Sequence, residues 1–582
     1  MVLSADTWAN QARVARPANP ATRPPAAASG RGLNSARSVS AAGRRHGLGL
    51  ITALATLSLL VWGLGRPALW LDESASVAAA QRSWSHLWIL LQGPDAPLVP
   101  YYLLLKAATT AATNFFPHAA AHPEVLYRWP SVAAMTIAVW VLAVWLARFS
   151  TTLVLSVGAV LLATGGISRY GQEARPYAFV MLFAVLSTVV WARIVQNRRW
   201  RWLPLYSLSV ALMVAANSLA ATLIAAHLIA CLVATERGKR WSAALRTICG
   251  GVAGLLLVAP EVLNATAHGK GATLYPTLTA QHLLRAFLKL VTLDAHPFLG
   301  ITVILCLSLL GLSQVALSKY RFVARLAACW AIVPLLLLVA AISQKPNLLI
   351  GRYALFTIPA WAILAGLGII TIGQFFRELV TATIQLALGT TRIGNGRHFA
   401  AMIGAASAAG MVVVVLITQL GSLQQMRGPG GHDEDIRPAI ALADSPGYAS
   451  LPIVVTSRLG AIGFVTYVPQ DEYRLVGLNR QDTSPIIWLT ADPTAAIRQQ
   501  LVDRSSPIIV LVRASSARPG CNVNPNPTAI YVQTCMNPVL QRLRYRAVNV
   551  KPAGRGWTFA VLTPLPQRPR AYWSLPRKHP LP

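Results

Sequence analysis

Acidic residues are scarce in this chain: its 582 residues include 19 Asp and Glu against 51 Lys and Arg, for a formal net charge of +32. Charged residues make up 12% of the chain, whereas roughly 25% is usual in soluble domains. Hydrophobic residues make up 54%. This composition excludes a soluble globular enzyme and a disordered protein, and it indicates a multi-pass membrane protein. Because most basic residues lie between apolar runs, they indicate membrane orientation rather than a nucleic-acid partner.

Several motifs that carry chemistry are also absent. The sequence has no glycine-rich phosphate loop, no set of Cys and His residues with metal-ligand spacing, and no internal repeat. His268, His282 and His296 fall in one predicted loop, where free histidines are a simpler interpretation than a metal site. No cofactor is therefore predicted, although a divalent cation beside the carboxylates described below stays open.

Cysteine is rare, with six residues in the chain. Cys521 and Cys535 lie fourteen residues apart in the polar C-terminal part. They are predicted to form a disulfide bond if that part lies outside the cytoplasm. The other four lie in apolar runs, where cysteine packs as a small hydrophobic residue: Cys231, Cys249, Cys306 and Cys329.

The apolar runs predict a polytopic α-helical membrane region over residues 47–420, preceded by a disordered basic tail at residues 1–46. The tail has no apolar run followed by a small-residue cleavage site, so it does not resemble a signal peptide. Because cytoplasmic loops carry an excess of Lys and Arg, the N-terminus is predicted to be cytoplasmic. About eleven spans satisfy this rule, at residues 47–65, 129–147, 151–168, 176–195, 203–216, 219–235, 247–263, 299–317, 326–342, 352–372 and 399–419.

The apolar stretch at residues 97–112 is not predicted to cross the membrane. It carries Lys106 in mid-run, and a crossing there would place every later basic loop outside. Residues 67–127 are therefore predicted to form one external loop containing helices that lie on the membrane surface.

The C-terminal part, residues 421–582, is predicted to be an extracytoplasmic α/β domain, because β-rich apolar runs alternate there with helical patterns. The β-rich runs are residues 451–456, 486–489 and 508–512, and the helical patterns are residues 435–443 and 493–503.

Two adjacent carboxylates, Asp72 and Glu73, directly follow the first predicted span. A solvated loop end or a helix N-cap at Asp72 would explain them without any catalytic role. The alternative is a general base that faces a membrane-embedded substrate.

Three further features lie on the same predicted outer side. Each also has a purely structural interpretation. Asp95 with Tyr101-Tyr102 could be a proline turn followed by an interfacial aromatic belt. The run from Ser168 to Tyr177 could be a self-neutralised turn, and Arg352 could be a snorkelling arginine. An arginine at headgroup depth is also suited to bind a lipid phosphate through two N–H groups. The features are Asp95 followed by Tyr101-Tyr102, the polar run from Ser168 to Tyr177, and Arg352-Tyr353, with Arg128 at the start of the second span.

Read in order, these motifs resemble those of integral-membrane GT-C glycosyltransferases, nearest to the protein O-mannosyltransferase and aminoarabinose-transferase branch. The resemblance covers about residues 47–375. The family's second motif reads Asp-x-His-Pro-Pro-Leu, whereas Asp95 is followed here by Ala96-Pro97-Leu98, so the chain lacks that histidine and any metal or substrate role tied to it. The composition and tail resemble actinobacterial relatives that build cell-envelope glycans. The motifs are Trp70-Leu71-Asp72-Glu73, Asp95-Ala96-Pro97 with Tyr101-Tyr102, Tyr127-Arg128-Trp129-Pro130-Ser131, Arg169-Tyr170 through Tyr177, and Arg352-Tyr353.

The resemblance implies inverting transfer of a sugar, mannose or arabinofuranose, from a polyprenyl-phosphate donor at the outer face of the plasma membrane. The acceptor would be a hydroxyl of a lipid-linked molecule, a polysaccharide or a protein of the cell envelope. Asp72 would be the base, with Glu73 as its helper or as a contact to a metal or to the acceptor. The donor phosphate would bind Arg352, Arg128, Arg175 and Tyr353, and the substrates would contact Asp95, Tyr101, Tyr170 and Glu173. A transporter or flippase, or a noncatalytic envelope-assembly protein, remains an alternative.

Overall fold

The computed structural model describes residues 30–197, 199–268, 281, 297–317, 319–344, 351–388, 393–432, 434–455, 458–468, 485, 487, 506–514, 520–522, 524–535 and 545–565. This part of the chain is mostly helical, with one small sheet near the C-terminus. The predicted architecture, a polytopic helical membrane protein with a C-terminal α/β region, is confirmed.

The elements are numbered in chain order. The first helices are α1 (Gly30–Val61), α2 (Leu71–Gln81), α3 (Trp84–Ile89), α4 (Val99–Phe115), α5 (Pro123–Leu146), α6 (Thr151–Ala163), α7 (Gly165–Tyr170), α8 (Tyr177–Asn197), α9 (Leu203–Ala216) and α10 (Thr222–Ala234). The next are α11 (Arg240–His268), α12 (Pro297–Leu312), α13 (Gln314–Leu317), α14 (Arg321–Gln344), α15 (Ile358–Leu388) and α16 (Ile393–Met426). The C-terminal elements are α17 (Arg437–Ala443), β1 (Ile453–Val455), α18 (Arg458–Tyr467), β2 (Ile508–Arg513), α19 (Ala529–Cys535), β3 (Tyr545–Pro552) and β4 (Trp557–Pro564).

The helices make this a multi-pass membrane protein. Within the described ranges, 6 helices are long and apolar enough to cross a membrane. Every predicted span overlaps at least one helix, but several of these helices are short, so the number of crossings stays a prediction. The 6 helical segments are Pro123–Leu146, Tyr177–Asn197, Arg237–His268, Arg321–Ala341, Arg352–Ala387 and Gly396–Met426.

The N-terminal boundary differs from the prediction. Helix α1 begins at Gly30, within the stretch predicted to be a disordered tail. Ala and Arg, which are strong helix formers, are frequent in residues 30–46 and extend the apolar helix in the N-terminal direction.

The stretch around Lys106 forms helix α4, which packs against α2 rather than standing alone. The Lys106 ammonium donates to the carbonyls of Ala80 at 3.1 Å and Arg82 at 2.5 Å, at the C-terminal end of α2. A lysine in an apolar run is therefore explained by a capping contact, because the last carbonyls of a helix have no partners within the helix.

Glycines allow the helices of the bundle to approach closely. A Cβ atom at Gly311 of α12 would lie 1.9 Å from the Leu364 carbonyl of α15, and one at Gly368 would lie 2.0 Å from the Leu307 carbonyl. Small residues let helix backbones meet in membranes, where packing rather than water exclusion drives association.

We expect Gly368→Ala to lower the unfolding free energy by about 1–3 kcal/mol, because the methyl group has no room beside a backbone carbonyl. The measurement is the melting temperature of the purified protein in detergent. Gly410→Ala is the matched control, because nothing lies within 4 Å of a Cβ at that position of α16. Equal melting temperatures for the two variants would contradict the close approach of α12 and α15.

The C-terminal sheet has the strand order β1-β2-β4-β3, with β1 parallel to β2 and β4 antiparallel to both of its neighbours. Successive side chains of a strand face opposite sides of the sheet. Ile508 and Val510 pack on one side with α19, and Ile509 and Leu511 pack on the other side with α17 and α18. Both faces are therefore covered, which is why β2 is apolar from Ile508 to Val512.

The predicted C-terminal elements can be compared with this sheet. The run at 451–456 contains β1, the run at 508–512 lies in β2, and the pattern at 435–443 contains α17. Apart from residue 487, the elements predicted at 486–489 and 493–503 fall outside the described residues. Cys521 and Cys535 are joined by a disulfide bond, with their Cα atoms 5.6 Å apart.

Candidate active site

The sequence features that were predicted to share one face meet at one end of the helical bundle. Here the connector between α1 and α2, together with the first turn of α2, contacts the start of α5, the turn between α7 and α8, and the 3-10 segment Gly351–Thr357. We call this the site end. Which side of the membrane it faces stays a prediction.

Asp72 lies in the first turn of α2, between two arginines. Its Oδ2 atom is 2.7 Å from Nη2 of Arg352 and 4.0 Å from Nη2 of Arg175, and its side chain is 14% exposed. Arg175 also donates to the Asp72 carbonyl at 3.3 Å and to Ser76 Oγ at 3.4 Å. The carboxylate is thus held beside two guanidinium groups and keeps limited access from outside.

Asp72 is not the N-cap residue of α2. Trp70 occupies the N-cap position of α2, and the carboxylate that accepts from its amide, at 3.4 Å, belongs to Glu73. Asp72 therefore stays available for another role.

Glu73 and Arg128 form a buried ion pair, and both side chains are 0% exposed. Nε and Nη2 of Arg128 donate to the two carboxylate oxygens at 2.8 Å and 2.7 Å. The remaining N–H groups donate to the carbonyls of Leu64, Pro67 and Ala68 at 2.8–2.9 Å. All five N–H groups of the guanidinium are therefore committed to the protein.

These contacts correct two predicted roles. Arg128 has no donor left for a phosphate, and Glu73 also accepts from the Ala174 amide at 2.9 Å, so neither side chain faces a substrate. Burial alone would raise the pKa of Glu73, but the Arg128 guanidinium lowers the pKa below its ordinary value. Both side chains are therefore engaged within the interior of the protein.

Arg352 lies among aromatic rings instead of reaching outward. Its guanidinium carbon is 5.2 Å from the ring centre of Trp70 and 5.7 Å from that of Tyr177, and its side chain is 11% exposed. Tyr177 also contacts Tyr170 and Tyr353, with ring centres 5.2 Å and 6.4 Å apart. A snorkelling arginine would place its guanidinium in the headgroup layer, whereas this one is stacked and ion-paired.

Glu173 lies in the turn between α7 and α8 and is fully buried. Its Oε1 atom accepts from Nε of Arg169 at 2.9 Å, so one pair of the predicted self-neutralised turn does form. Burial raises the pKa of Glu173 from 4.5 to about 7, although Arg169 opposes that shift.

Asp95 ends the turn before α4, and its side chain is buried together with Tyr101 and Tyr102. Burial raises the pKa of Asp95 from 3.8 to about 6, against the opposing effect of the nearby Arg175. The short turn therefore brings a carboxylate and two phenols towards the arginines around Asp72.

Polar atoms without hydrogen-bond partners concentrate at the site end. Buried polar groups are nearly always hydrogen-bonded in proteins, so their accumulation here indicates a surface prepared for a polar ligand. Among the described residues of the site end, these atoms include Trp70 Nε1, Asp95 Oδ2, Glu173 Oε2, Arg175 Nε and Arg352 Nε.

The described residues provide few ligands for a divalent cation. No group of three or more His, Cys, Asp or Glu side chains lies together in the described part of the chain. The Asp72 and Glu73 carboxylates are each paired with arginine, so the residues present do not fit such an ion and we derive no step through one. His282 and His296 lie outside the described residues, and His268 ends α11.

Sequence reasoning missed three contributors. Trp70 and Tyr177 belong to the recognised motifs, but nothing local indicated that both would stack on Arg352. His432 comes from the segment after α16, and its Nδ1 atom lies 3.3 Å from Nη2 of Arg128. No local pattern signals that contact, because 304 residues separate the two.

Comparison with known proteins agrees with the family resemblance of the motifs. Residues 116–263 match the sequence profile of the dolichyl-phosphate-mannose-protein mannosyltransferase family. The chain resembles the GT-C glycosyltransferases. This likeness, which the motifs predicted, is confirmed, and the matched stretch includes Arg128, Glu173 and Arg175. None of the curated proteins matches the chain.

Solved structures of similar outline include three membrane enzymes. ArnT from Cupriavidus metallidurans, bound to undecaprenyl phosphate, has 13% identity and a TM-score of 0.46, with 88% of this chain and 97% of that chain covered. AglB from Archaeoglobus fulgidus, in complex with an inhibitory peptide and a dolichol-phosphate, has 10% identity and a TM-score of 0.43, covering 92% and 75%. EmbB from Mycobacterium smegmatis has 15% identity and a TM-score of 0.37, covering 83% and 45%.

The raised pKa of Glu173 predicts a stability that falls as pH rises. A carboxyl whose folded-state pKa lies above its unfolded value stabilises the fold below that unfolded value, and the contribution is lost as pH passes the folded pKa. With a shift from 4.5 to about 7, the loss between about pH 4 and pH 8 is at most about 3 kcal/mol.

The measurement is the melting temperature across this pH range for the wild type and Glu173→Gln. The variant keeps a polar side chain but removes the titration, so its melting temperature should depend less on pH and exceed that of the wild type at about pH 8. Glu378→Gln, at an exposed carboxylate, is the control. Parallel profiles for the wild type and Glu173→Gln would contradict the assignment.

Proposed function

We propose that this protein is a glycosyltransferase that moves a sugar from a polyprenyl-phosphate donor to a hydroxyl of a cell-envelope acceptor. The observation that carries the proposal is the position of the Asp72 carboxylate, 2.7 Å from Arg352 and 4.0 Å from Arg175 at the site end. A base beside two guanidinium groups matches what this reaction needs. The match of residues 116–263 to a family of lipid-phosphate-dependent mannosyltransferases supports the same class.

The proposed step is a single displacement with inversion at the anomeric carbon. The acceptor oxygen attacks that carbon while its proton passes to the carboxylate of Asp72. The bond between the sugar and the donor phosphate breaks, and its electron pair stays on the phosphate oxygen. Arg352 and Arg175 then stabilise the charge of the departing lipid phosphate, which needs no strong acid to leave.

The guanidinium of Arg352 can serve both partners of the reaction. Its Nη2 atom holds Asp72, whereas Nε has no hydrogen-bond partner among the described residues. Because the planar fork presents several N–H groups, a phosphate at Nε would leave the Asp72 contact in place. Tyr353 follows Arg352 in the chain, and we assign it to the same phosphate subsite.

The sugar and acceptor hydroxyls are assigned to the remaining polar side chains of the site end. Asp95 and Glu173 each present a buried oxygen without a partner among the described residues, and we assign Tyr101 and Tyr170 to the same subsite. Such groups recognise hydroxyls by hydrogen bonding. The proposed sugar is mannose or arabinofuranose, and the acceptor is a lipid-linked molecule, a polysaccharide or a protein.

The proposed setting is the plasma membrane, with the N-terminus in the cytoplasm and the site end and residues 421–582 on the outer side. The basic loops support this orientation because the predicted topology places them on the side opposite the carboxylates. The donor lipid would then lie in the outer leaflet, with its phosphate at the depth of Arg352.

The test uses purified full-length protein with radiolabelled polyprenyl-phosphate mannose and polyprenyl-phosphate arabinofuranose, together with cell-envelope extracts as acceptors. We expect label to pass from one donor class to an acceptor. A flippase would move the donor across vesicle membranes without transfer, and a noncatalytic assembly protein would do neither. Either of those results would overturn the proposal.

A further inference from the structure

The connector that leads from α1 into α2, residues 62–70, obtains much of its backbone hydrogen bonding from distant parts of the chain. Buried backbone groups need partners, and the carbonyls of Leu64, Pro67 and Ala68 find theirs on Arg128. Asp72 lies two residues beyond the end of this connector. The atoms that hold the connector therefore set where α2 begins and where Asp72 points.

The C-terminal region, which we define as residues 427–565, supplies further partners of the connector. The Ala68 amide donates to the Pro429 carbonyl at 3.0 Å. The Leu69 amide donates to the Tyr467 hydroxyl at 2.6 Å. Neighbouring amides of the connector thus depend on two separate segments of the C-terminal region.

Tyr467 also connects the connector to the bundle. Its hydroxyl donates to Oε1 of Glu124, in the first turn of α5, at 3.1 Å. Arg437 donates to the same oxygen at 3.0 Å and to the Arg66 carbonyl at 2.7 Å. One carboxylate of α5 is therefore shared by two side chains of the C-terminal region, and both of these also hold the connector.

His432 reaches the buried ion pair behind Asp72. Its side chain is fully buried, with Nδ1 3.3 Å from Nη2 of Arg128 and 3.6 Å from Oε2 of Glu73. Burial, reinforced by Arg128, lowers the pKa of His432 to about 4, so the ring is neutral near neutral pH. A neutral ring adds no charge that would compete with Arg128 for Glu73.

We infer that the C-terminal region is a positioning element of the active site, and that Tyr467 and His432 act as positioning residues that hold Asp72 in its reactive place through the connector. This inference rests on the proposed function for its kinetic consequence. Its structural part, the coupling between the C-terminal region and residues 64–73, stands independently of it.

The experiment compares Tyr467→Phe with Tyr448→Phe in the full-length protein. Both changes remove one phenol oxygen from the C-terminal region, but the Tyr448 hydroxyl accepts from Nδ2 of Asn549 within that region. Hydrogen–deuterium exchange reports on the amides of residues 64–73. Transfer kinetics report separately on kcat and on KM for the lipid-linked donor.

For Tyr467→Phe we expect at least tenfold faster exchange of the peptide that contains Leu69, and a kcat lowered about tenfold with KM changed less than about twofold. Tyr448→Phe should leave both measurements at wild-type values. A role confined to overall stability would change exchange throughout the protein and would not separate kcat from KM.

His432 provides a second test that does not depend on Tyr467. Asn places a polar atom near the position of His Nδ1, so His432→Asn should retain most of the kcat that His432→Ala loses. The inference is overturned if Tyr467→Phe leaves the exchange of residues 64–73 unchanged, or if exchange rises while kcat does not fall. Should the wild type transfer no sugar at all, the proposed function fails, and the exchange measurement alone still decides the coupling.

Discussion

Asp72→Asn is expected to lower turnover by about a hundred- to ten-thousand-fold, the usual cost of removing a general base. The amide has the same shape as the carboxylate but cannot take the proton of the acceptor hydroxyl. Donor binding should change little, because the phosphate contacts are assigned to arginines. The measurement is single-turnover transfer from the labelled lipid donor, together with a donor titration.

Two other carboxylate changes make this result interpretable. Asp444→Asn alters an exposed carboxylate of the C-terminal region and should leave turnover unchanged. Glu73→Gln should instead lower the yield and melting temperature of the protein, because it leaves the Arg128 charge buried without its partner at a cost of about 3–5 kcal/mol. Near-normal turnover in Asp72→Asn would exclude Asp72 as the base.

Arg352→Ala is expected to reduce transfer by about a hundred- to a thousandfold, a loss similar to that of one preorganised donor in an oxyanion site. Arg352→Lys should retain part of the activity. Lysine keeps the charge but loses the planar fork and the stacking on Trp70 and Tyr177. Initial rates over a range of donor concentrations give the effect on donor KM and on turnover.

The control for this series is Arg321→Lys, at an exposed arginine that begins α14. It should leave the kinetics unchanged. If Arg352 served only as a membrane anchor, lysine would replace it without loss, since both side chains snorkel. Wild-type donor KM and turnover in Arg352→Lys would therefore remove Arg352 from the proposed phosphate subsite.

Residues of the same motif do not all occupy equivalent positions in the structure. Asp72, Arg175 and Arg352 lie within one small volume, as a shared role requires. Glu73 and Arg128 have equally strong motif support, yet they face each other in the interior. The motifs thus identified the segments that meet at the site end, but they could not separate the side chains that face it from those paired in the interior.

The protein class, the positions of the helices and the location of the polar clusters could be predicted from the sequence alone. Composition established a membrane protein, the apolar runs located the helices, and the charged residues between them indicated one end that gathers carboxylates, arginines and aromatics. These properties can be read locally, because hydropathy and charge sum along the chain and need no knowledge of which segments touch.

Only the tertiary structure decided which carboxylate faces the site. Asp72 and Glu73 are neighbours in a helix, so their side chains point about 100° apart, and only packing determines which of them meets Arg128. The contacts of His432 and Tyr467 could not be predicted from the sequence either. In the chain, 304 residues separate His432 from Arg128, and 398 separate Tyr467 from Leu69. Contacts at such separations arise from the fold as a whole, and no local pattern of residue types specifies them.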